Sequence, residues 1–597
     1  MAHRRAFRAR VRSEQGSALP LALLSLLLIS LLGFTVVAMG LTEVTIATNW
    51  RAYSRAFYAA DAGIESGVNS LRALLSLGPN PTAEQLAAIT APSLNTMSQA
   101  QLSFVPSPPA PPFVARIVTN PPSFTTSFTT GPFATLTGRA TNYRVTSQVT
   151  GPGAVRANLS QIFSYVQVPL FQFGVFYGKG VDLEIAPGPN MTFNGRVHSN
   201  SNIYVGTQAT LSFQSYMTTT GSIYRRIKRD PAIPWKNHPQ IMDAGGVYQT
   251  LDFDHEYQQG FATQWPSPND WKNFALSRFG GQVRDSAMGV GEIIPPIPEL
   301  FVNPSNPDVV SHQLIETVNV SDPPALQAAK LYTQAGLRII NGVATDQNGA
   351  AVSLPAGVVT TNKSFWDNRE QRTMSITELN VGSLISSGKA PANGILYIAN
   401  TSVSTGVAVR VVNGATLPSN GFTVVSQNPV YVQGNYNTLG SFTTSTGGTA
   451  NHVPAAILAD AITVLSNNWG PNNSDTKGNL STSNRPATNT TVNAAFATGP
   501  SAESAPGAGN GQLENNIRFL EDWSGGKTFT YKGSIVDLWH SQQATGNWRS
   551  PGNGSGPPPQ YYQAPVRNWS YDTLFNTDPP PGTPSGVIMV KGAWSQN

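Results

Sequence analysis

Hydrophobic and polar positions change rhythm several times along this chain, and each rhythm predicts a different element. Ser17 to Thr42 is an uncharged, almost wholly apolar run that ends at the acid Glu43. At ~1.5 Å of rise per residue, a run of this length crosses a bilayer as one helix. It exceeds the apolar core of a cleaved secretory signal, which spans about 7 to 15 residues. Further on, Tyr53, Phe57, Ala60, Ile64, Gly67, Leu71 and Leu74 recur at alternating steps of four and three, which places them on one helix face. Arg51, Arg55, Glu65, Asn69 and Arg72 fall largely outside that stripe. The spacing predicts one rod running from the membrane to about Leu77, stopped by Gly78-Pro79-Asn80-Pro81. Ala52, Ala56, Ala59 and Gly63 make a strip of small residues, suited either to close approach of another helix or to docking on the protein's own globular part.

Residues 78–134 lose both periods. Pro106–Val114 and Asn120–Phe133 are rich in proline and threonine, which predicts an extended linker, part of which is free to cover a sheet edge. Alternation begins near Thr135, and Tyr143–Val149 and Ser160–Val168 read as strands with one buried face. Asp182–Ile185 and Met191–Val205 then give strands of a few residues separated by Gly or Asn corners, with no helix between them. That style predicts a parallel β-helix or related solenoid, in which Asn accepts left-handed corners. It covers a β-rich region at 135–320 and returns over 371–597, in Gly421–Asn437, Ala455–Leu465, Thr491–Phe496 and Phe529–Trp539. Between them, Asp322–Gly336 predicts one helix capped by Asp322, and Leu337–Ile340 and Ala351–Leu354 predict strands. Residues 321–370 are therefore expected to form a small α+β insertion. The fold class is mainly β, with a long N-terminal helix, transmembrane in its first half, followed by a large domain of parallel β-helix or solenoid type.

Composition narrows the setting. Of 597 residues only 12% are charged, while there are 54 glycines and 46 prolines. The net charge of +5 is concentrated in the leader, where Arg4, Arg5, Arg8, Arg10 and Arg12 face only Glu14. Such basic flanks hold an N-terminus on the cytoplasmic side, which makes everything beyond Glu43 extracytoplasmic. The rest of the chain is close to neutral, so no basic surface points to nucleic acid as a partner. There is no cysteine, which excludes disulfides, thiol chemistry and Cys-ligated metal.

Candidate chemistry is sparse. His198, at a predicted corner, is expected to make hydrogen bonds rather than to bind metal or substrate. Asp252, Asp254, His255 and Glu256 are the one compact set of possible ligands, but they lack the glycine and spacing of a calcium loop. The Arg225, Arg226, Lys228 and Arg229 cluster reads as a solvated loop. Glu514, Glu521, Asp522 and Asp537 are acids of the kind glycosidases pair, though nothing in the sequence fixes a separation between them. Trp523, Trp539, Trp548 and Trp569 suit core packing or sugar stacking. No cofactor, metal or catalytic residue is expected.

The junction Ser13-Glu14-Gln15-Gly16 before Ser17 resembles the class III leader of type IV pilins and pseudopilins. The segment from Asn49 through Arg51–Arg55 to Ala59-Ala60-Asp61-Ala62-Gly63-Ile64-Glu65 is similar to the N-terminal region of PilX-type minor pilins and K-type pseudopilins. Later stretches between Gly421 and Trp594 also resemble the C-terminal region of large PilX-like pilus assembly proteins. The resemblance implies that prepilin peptidase cuts between Gly16 and Ser17 and that the helix packs among other pilins. Leu21, Tyr53, Phe57, Ala60, Asp61, Ile64 and Leu71 would supply its assembly face. Leu21 stands where major pilins carry a glutamate, which implies a specialised rather than a repeating subunit. The function expected is a noncatalytic minor pilin-like subunit that inserts in the inner membrane and engages the pilus assembly machinery. It would prime a type IV pilus or display a large β-domain at its tip, with a surface polysaccharide or a host or abiotic surface as the attachment target. The alternatives are a K-like tip pseudopilin of a type II secretion system, or a membrane-tethered β-helix carbohydrate-binding protein or enzyme.

Overall fold

The computed structural model describes residues 18–78, 80–93, 101–106, 111–117, 121, 123–228, 230–234, 237–258, 263–302, 304–402, 406–470, 475–503, 509–548 and 561–596. Its first element is helix α1, Ala18–Ser76, the continuous rod of 59 residues that the spacing predicts. The second half of α1 lies on an antiparallel sheet. The sheet's centre is a hairpin, Thr137–Thr150 with Arg156–Pro169, paired from Arg139 against Gln167 to Thr150 against Arg156. A tight turn joins the strands, with Gly153 and Ala154 both in the left-handed region.

Alternation in the hairpin sends its side chains to two cores. Tyr143, Val145, Leu159 and Phe163 are buried beneath α1. Ala140, Val166 and Val168 point the other way, toward the rest of the molecule. Three short strands of the expected linker, Ser103–Phe104, Val114–Arg116 and Phe124–Ser127, pair along the first hairpin strand. The sheet-edge alternative therefore holds for these three pieces of that stretch. The second hairpin strand is paired by Ser585–Gln596, almost the last residues of the chain. Sequence placed Thr137–Pro169 and Ser585–Gln596 in the solenoid; the structure assigns both to this sheet. Alternation reveals a strand but not its partner, which is why the two could not be told apart.

The described residues between Pro169 and Ser585 form one insertion, built largely of parallel strands. Its longest sheet has eleven strands and is assembled from two stacks of coils. In the first stack the coils repeat every 20 residues: Leu183 pairs Ile203, which pairs Ile223, and Val197 pairs Met217. Like residues superpose from coil to coil, so that Phe193 stacks on Phe213 with centroids 5.5 Å apart and Tyr204 on Tyr224 at 5.1 Å. Each such pair contributes ~0.5–1.5 kcal/mol beyond burial. Corners are laddered as well: Asp182 accepts from the Asn202 backbone N–H, and Asn202 Oδ1 accepts from that of Ser222. In the second stack Leu337–Ile340, Ile395–Ala399, Phe422–Ser426, Ala455–Ala459, Ala495–Thr498 and Ile535–Asp537 follow one another in parallel. Here Asn341, Asn413 and Asn437 take left-handed corners, as the sequence predicts for such asparagines.

The two stacks meet in the middle of the sheet, where Ile535–Asp537 pairs with Val175–Tyr177. The chain therefore enters the solenoid at its centre and winds outward to Val283. It then crosses the outside through residues 286–336 to the opposite end and winds back to the centre. The crossing segment buries Ile293, Leu314 and Leu331 against the outer face of the long sheet. Helix Pro268–Phe279 buries Trp271 and Phe279 in the core of the first stack. Antiparallel strands Val343–Asp346 and Val359–Asp367 pair the outermost strands of the second, limiting open edges.

Residues 321–370 thus form no separate insertion, since Leu337–Ile340 is a strand of the long sheet. The helix expected over Asp322–Gly336 is two short ones, Pro324–Ala329 and Leu331–Gln334, with Pro323 rather than Asp322 at the N-cap. Lys330 breaks it, adopting extended backbone to bury its ammonium on the Thr317 carbonyl and the Asp322 carboxylate. Of Ala351–Leu354, only Ala351 makes a bridge, to Thr345.

Candidate functional site

The first half of α1 is bare. An 18-residue window within it has mean hydropathy 2.6 and none of it is buried in the protein. Leu21 is 62% exposed, in the company of Leu24, Leu28, Leu32, Phe34 and Val37. Five of its hydroxyls are satisfied within the helix: Ser25, Thr35, Thr42, Thr45 and Thr48 each donate to the carbonyl four residues back. That is the arrangement an apolar solvent demands, because no water there would compensate a free hydroxyl. The helix is compatible with a single membrane anchor. Gly16 and Ser17 lie outside the described residues.

The second half of α1 is occupied. Ala56, Ala60, Gly63, Ile64, Gly67, Val68, Leu71 and Leu75 are buried on the hairpin. Two glycines permit the approach. A Cβ on Gly63 would lie within 3 Å of both Ser147 and Phe104, and one on Gly67 2.6 Å from Val145 Cγ1. The small-residue strip therefore docks on the chain's own sheet.

The predicted assembly residues are divided by this arrangement. Ala60, Ile64 and Leu71 are covered by the sheet; Asp61 is half-buried at its margin; Leu21 faces outward. Tyr53 and Phe57 lie under the end of the closing strand. Gln596 donates to the Tyr53 hydroxyl, Trp594 packs edge-on to Phe57 at 6.0 Å, and Lys591 pairs with Glu65. Sequence reasoning missed Lys591, Trp594 and Gln596. No strand was read there; the apolar run Val587–Val590 is the local signal that could have marked one, and nothing local links it to a helix more than five hundred residues earlier.

The other candidates resolve into structural roles. His198 lies in a strand rather than at a corner, fully buried between Thr218 Oγ1 (2.8 Å) and Asn200 Oδ1 (3.0 Å). Burial pushes it down to about 4, so the ring is neutral. Asp254 accepts backbone N–H groups of Arg225, Glu256 and Tyr257, His255 bonds Asp285, and Glu256 pairs with Arg226. These groups face different partners, and no metal-binding set occurs among the described residues. Arg225 is buried and Lys228 bridges Asp182 and Glu503, so neither is the solvated loop residue expected. Arg229 lies outside the described residues.

The four acids take different hydrogen-bond partners. Glu521 accepts from the Ser466 N–H and hydroxyl, Asp537 from both contacts of Asn516 Nδ2, and Asp522 from the Ser524 N–H. Burial raises Glu514, Glu521 and Asp537 to about 7. Trp523 and Trp539 are core residues; Trp548 and Trp569 are half-buried. Sequence did not single out His312. It bonds Glu316 and Asp460 and is raised to about 9 by those hydrogen bonds, which outweigh its burial. Ser541 also donates to Asp460, so serine and histidine share a carboxylate instead of forming a nucleophile relay.

Residues 15–65 match the PilX N-terminal family. The competence-associated pilin ComZ from Thermus thermophilus aligns with 91% of this chain and 97% of its own, at 11% identity and a TM-score of 0.25. No curated protein matches the sequence. The segment similar to the PilX N-terminal family, residues 15–65, thus covers the anchor-length apolar half of α1 and reaches into the half docked on the sheet.

Proposed function

We propose that the chain is a noncatalytic minor pilin-like subunit that primes a type IV pilus or displays its solenoid at the tip for attachment. One observation carries the reading: α1 is bare and apolar over its first half while its second half is already clamped by the chain's own sheet. The bare half needs an apolar environment, which lipid supplies before assembly and neighbouring pilin helices supply afterwards. The arginine-rich leader favours a cytoplasmic N-terminus and an extracytoplasmic solenoid. Residues 170–584 hang from two strand ends of that sheet, a bulk that suits a position occupied once better than one repeated along a shaft. Absence of catalysis is supported by Glu521, Asp537, His198 and His312, which are committed to structural hydrogen bonds. N-terminal mass spectrometry tests the reading: prepilin peptidase should leave a chain beginning at Ser17. A mature chain that retains Met1, or that begins beyond Ala38, overturns it.

A further inference from the structure

The bare stretch of α1 is longer than its apolar run. Glu43 is the first charge, yet exposed apolar side chains continue through Val44 and Ile46 to Trp50, which is 68% exposed. Trp50 lies about 10 Å beyond Glu43 along the helix. The headgroup layer of a bilayer is about 5–8 Å deep on each side, and helical side chains lean toward the N-terminus, here toward the membrane. With Glu43 at the edge of the hydrocarbon, Trp50 and Arg51 reach the outer boundary of the headgroups.

The sheet ends at nearly the same level. Going down the helix, Gly67 faces Val145 and Gly63 faces Ser147, so the first hairpin strand runs toward the membrane. The last strand runs the same way, with Lys591 beside Glu65, Trp594 beside Phe57 and Gln596 beside Tyr53. At ~3.3 Å per strand residue, the hairpin turn descends from Ser147 to about the level of Tyr53. Pro152, Gly153 and Ala154 of that turn are exposed, as are Arg51, Arg55, Tyr58 and Arg156. The acids at this end are Glu43, Asp61 and Glu65, and Glu65 is neutralised by Lys591. Three arginines therefore face two carboxylates, beside an exposed indole and phenol. Basic and amphipathic aromatic side chains directly above an apolar span suit an anionic headgroup layer. A neighbouring helix would instead meet charge at Arg51 and Arg55, where it needs apolar contact.

We propose that this end of the module is a membrane seat: Trp50, Arg51, Arg55 and Arg156 engage anionic phospholipid headgroups of the leaflet on the sheet's side and hold the hairpin turn against them. The proposal rests on the bare half being a bilayer anchor and concerns the protein before any fibre forms. Because the chain has no cysteine, single introduced cysteines report position without background. The full chain is placed in nanodiscs containing phosphatidylglycerol, carrying a bimane label on Ala154→Cys in the turn, on Ala328→Cys, or on Leu28→Cys in the bare half. Ala328 is exposed beside Leu77 and Gly78, at the far end of α1. It lies roughly 30 Å or more further from the membrane than the turn, so lipids with a headgroup nitroxide should quench the Ala154→Cys label about threefold more than the Ala328→Cys label. Replacing Arg51, Arg55 and Arg156 together by Gln, or phosphatidylglycerol by phosphatidylcholine, should cut quenching at the turn about twofold. The seat is overturned if the two labels are quenched alike, or if quenching at the turn is indifferent to both the arginines and the lipid charge, as a protein neighbour or the anchor alone would leave it. Lipids with a nitroxide on the acyl chain separate the two ideas. Quenching of the Leu28→Cys label with no difference between turn and far end removes the seat alone; no quenching of that label removes the anchor and the seat with it.

Discussion

The helix-and-sheet module and the solenoid are held together in opposite ways. The module is discontinuous: its helix and hairpin come from residues 18–169, and its last strand from Ser585–Gln596. The solenoid is continuous, each stack of coils pairing largely with its sequence neighbours, except at the one join between Ile535–Asp537 and Val175–Tyr177. Stability in the module therefore hinges on a few long-range contacts, whereas in the solenoid it is spread over many short-range ones. The same difference decides what each region can be used for. A module closed by the strand Ser585–Gln596 can present one bare helix, while a stack of coils can lengthen without altering that helix.

The largest test of this contrast is Val587→Asp. Val587 is 1% exposed in the core between helix and sheet, and an unpaired charge there costs about 3–5 kcal/mol. Limited proteolysis should then release the helix and hairpin while fragments of the solenoid persist; simultaneous loss of both would dissolve the distinction. His312 offers a test confined to the solenoid and its crossing segment. Its folded value of about 9 lies above the unfolded one, so its contribution is complete below about 6.5 and is lost as pH rises through 9. Raising the pH from 7 to 9.5 should cost the solenoid at most about 3 kcal/mol, and His312→Gln should flatten that part of a melting-versus-pH profile. Gly67→Val places a side chain against Val145, and overpacking of this kind costs ~1–3 kcal/mol. It should lower the melting of the module and leave the solenoid transition in place. The smallest effect expected is from Trp594→Ala. At 43% exposed, Trp594 should contribute under about 1 kcal/mol, read as faster hydrogen exchange in the last strand.

What could be read from sequence follows the same division. Helix α1 was legible because its period is local, and the steps from Tyr53 to Leu74 locate the docked side to within a neighbouring row. The buried row proved to be centred on Ala56, Gly63 and Gly67, because small residues let the sheet approach where larger ones would hold it off. Short strands and asparagine corners identified the solenoid, and the 20-residue spacing of Leu183, Ile203 and Ile223 would have given its pitch directly. The closing strand was not legible, since Val587–Val590 looks the same whether it pairs with a coil or with the hairpin. The helix at Asp322–Gly336 was misjudged for a related reason. Its periodicity is sound, but burial of the Lys330 ammonium on distant oxygens outweighs one turn of helix. The closeness of Glu184 and Glu514 was not legible either, because they become neighbours only when the second stack winds back onto the first.

The solenoid's attachment has a mechanical side. Pro169 and Ser585 are paired with one another, so both connections leave the module from the same end of adjacent strands. Tension between an anchored helix and anything gripped by the solenoid would enter these two strands together, along their length. The ladder to the Thr137–Thr150 strand would be loaded in shear, with its hydrogen bonds sharing the force rather than opening one at a time. The coils lie beyond that path on one side and the bare helix on the other. What must resist a pull is the small sheet between them.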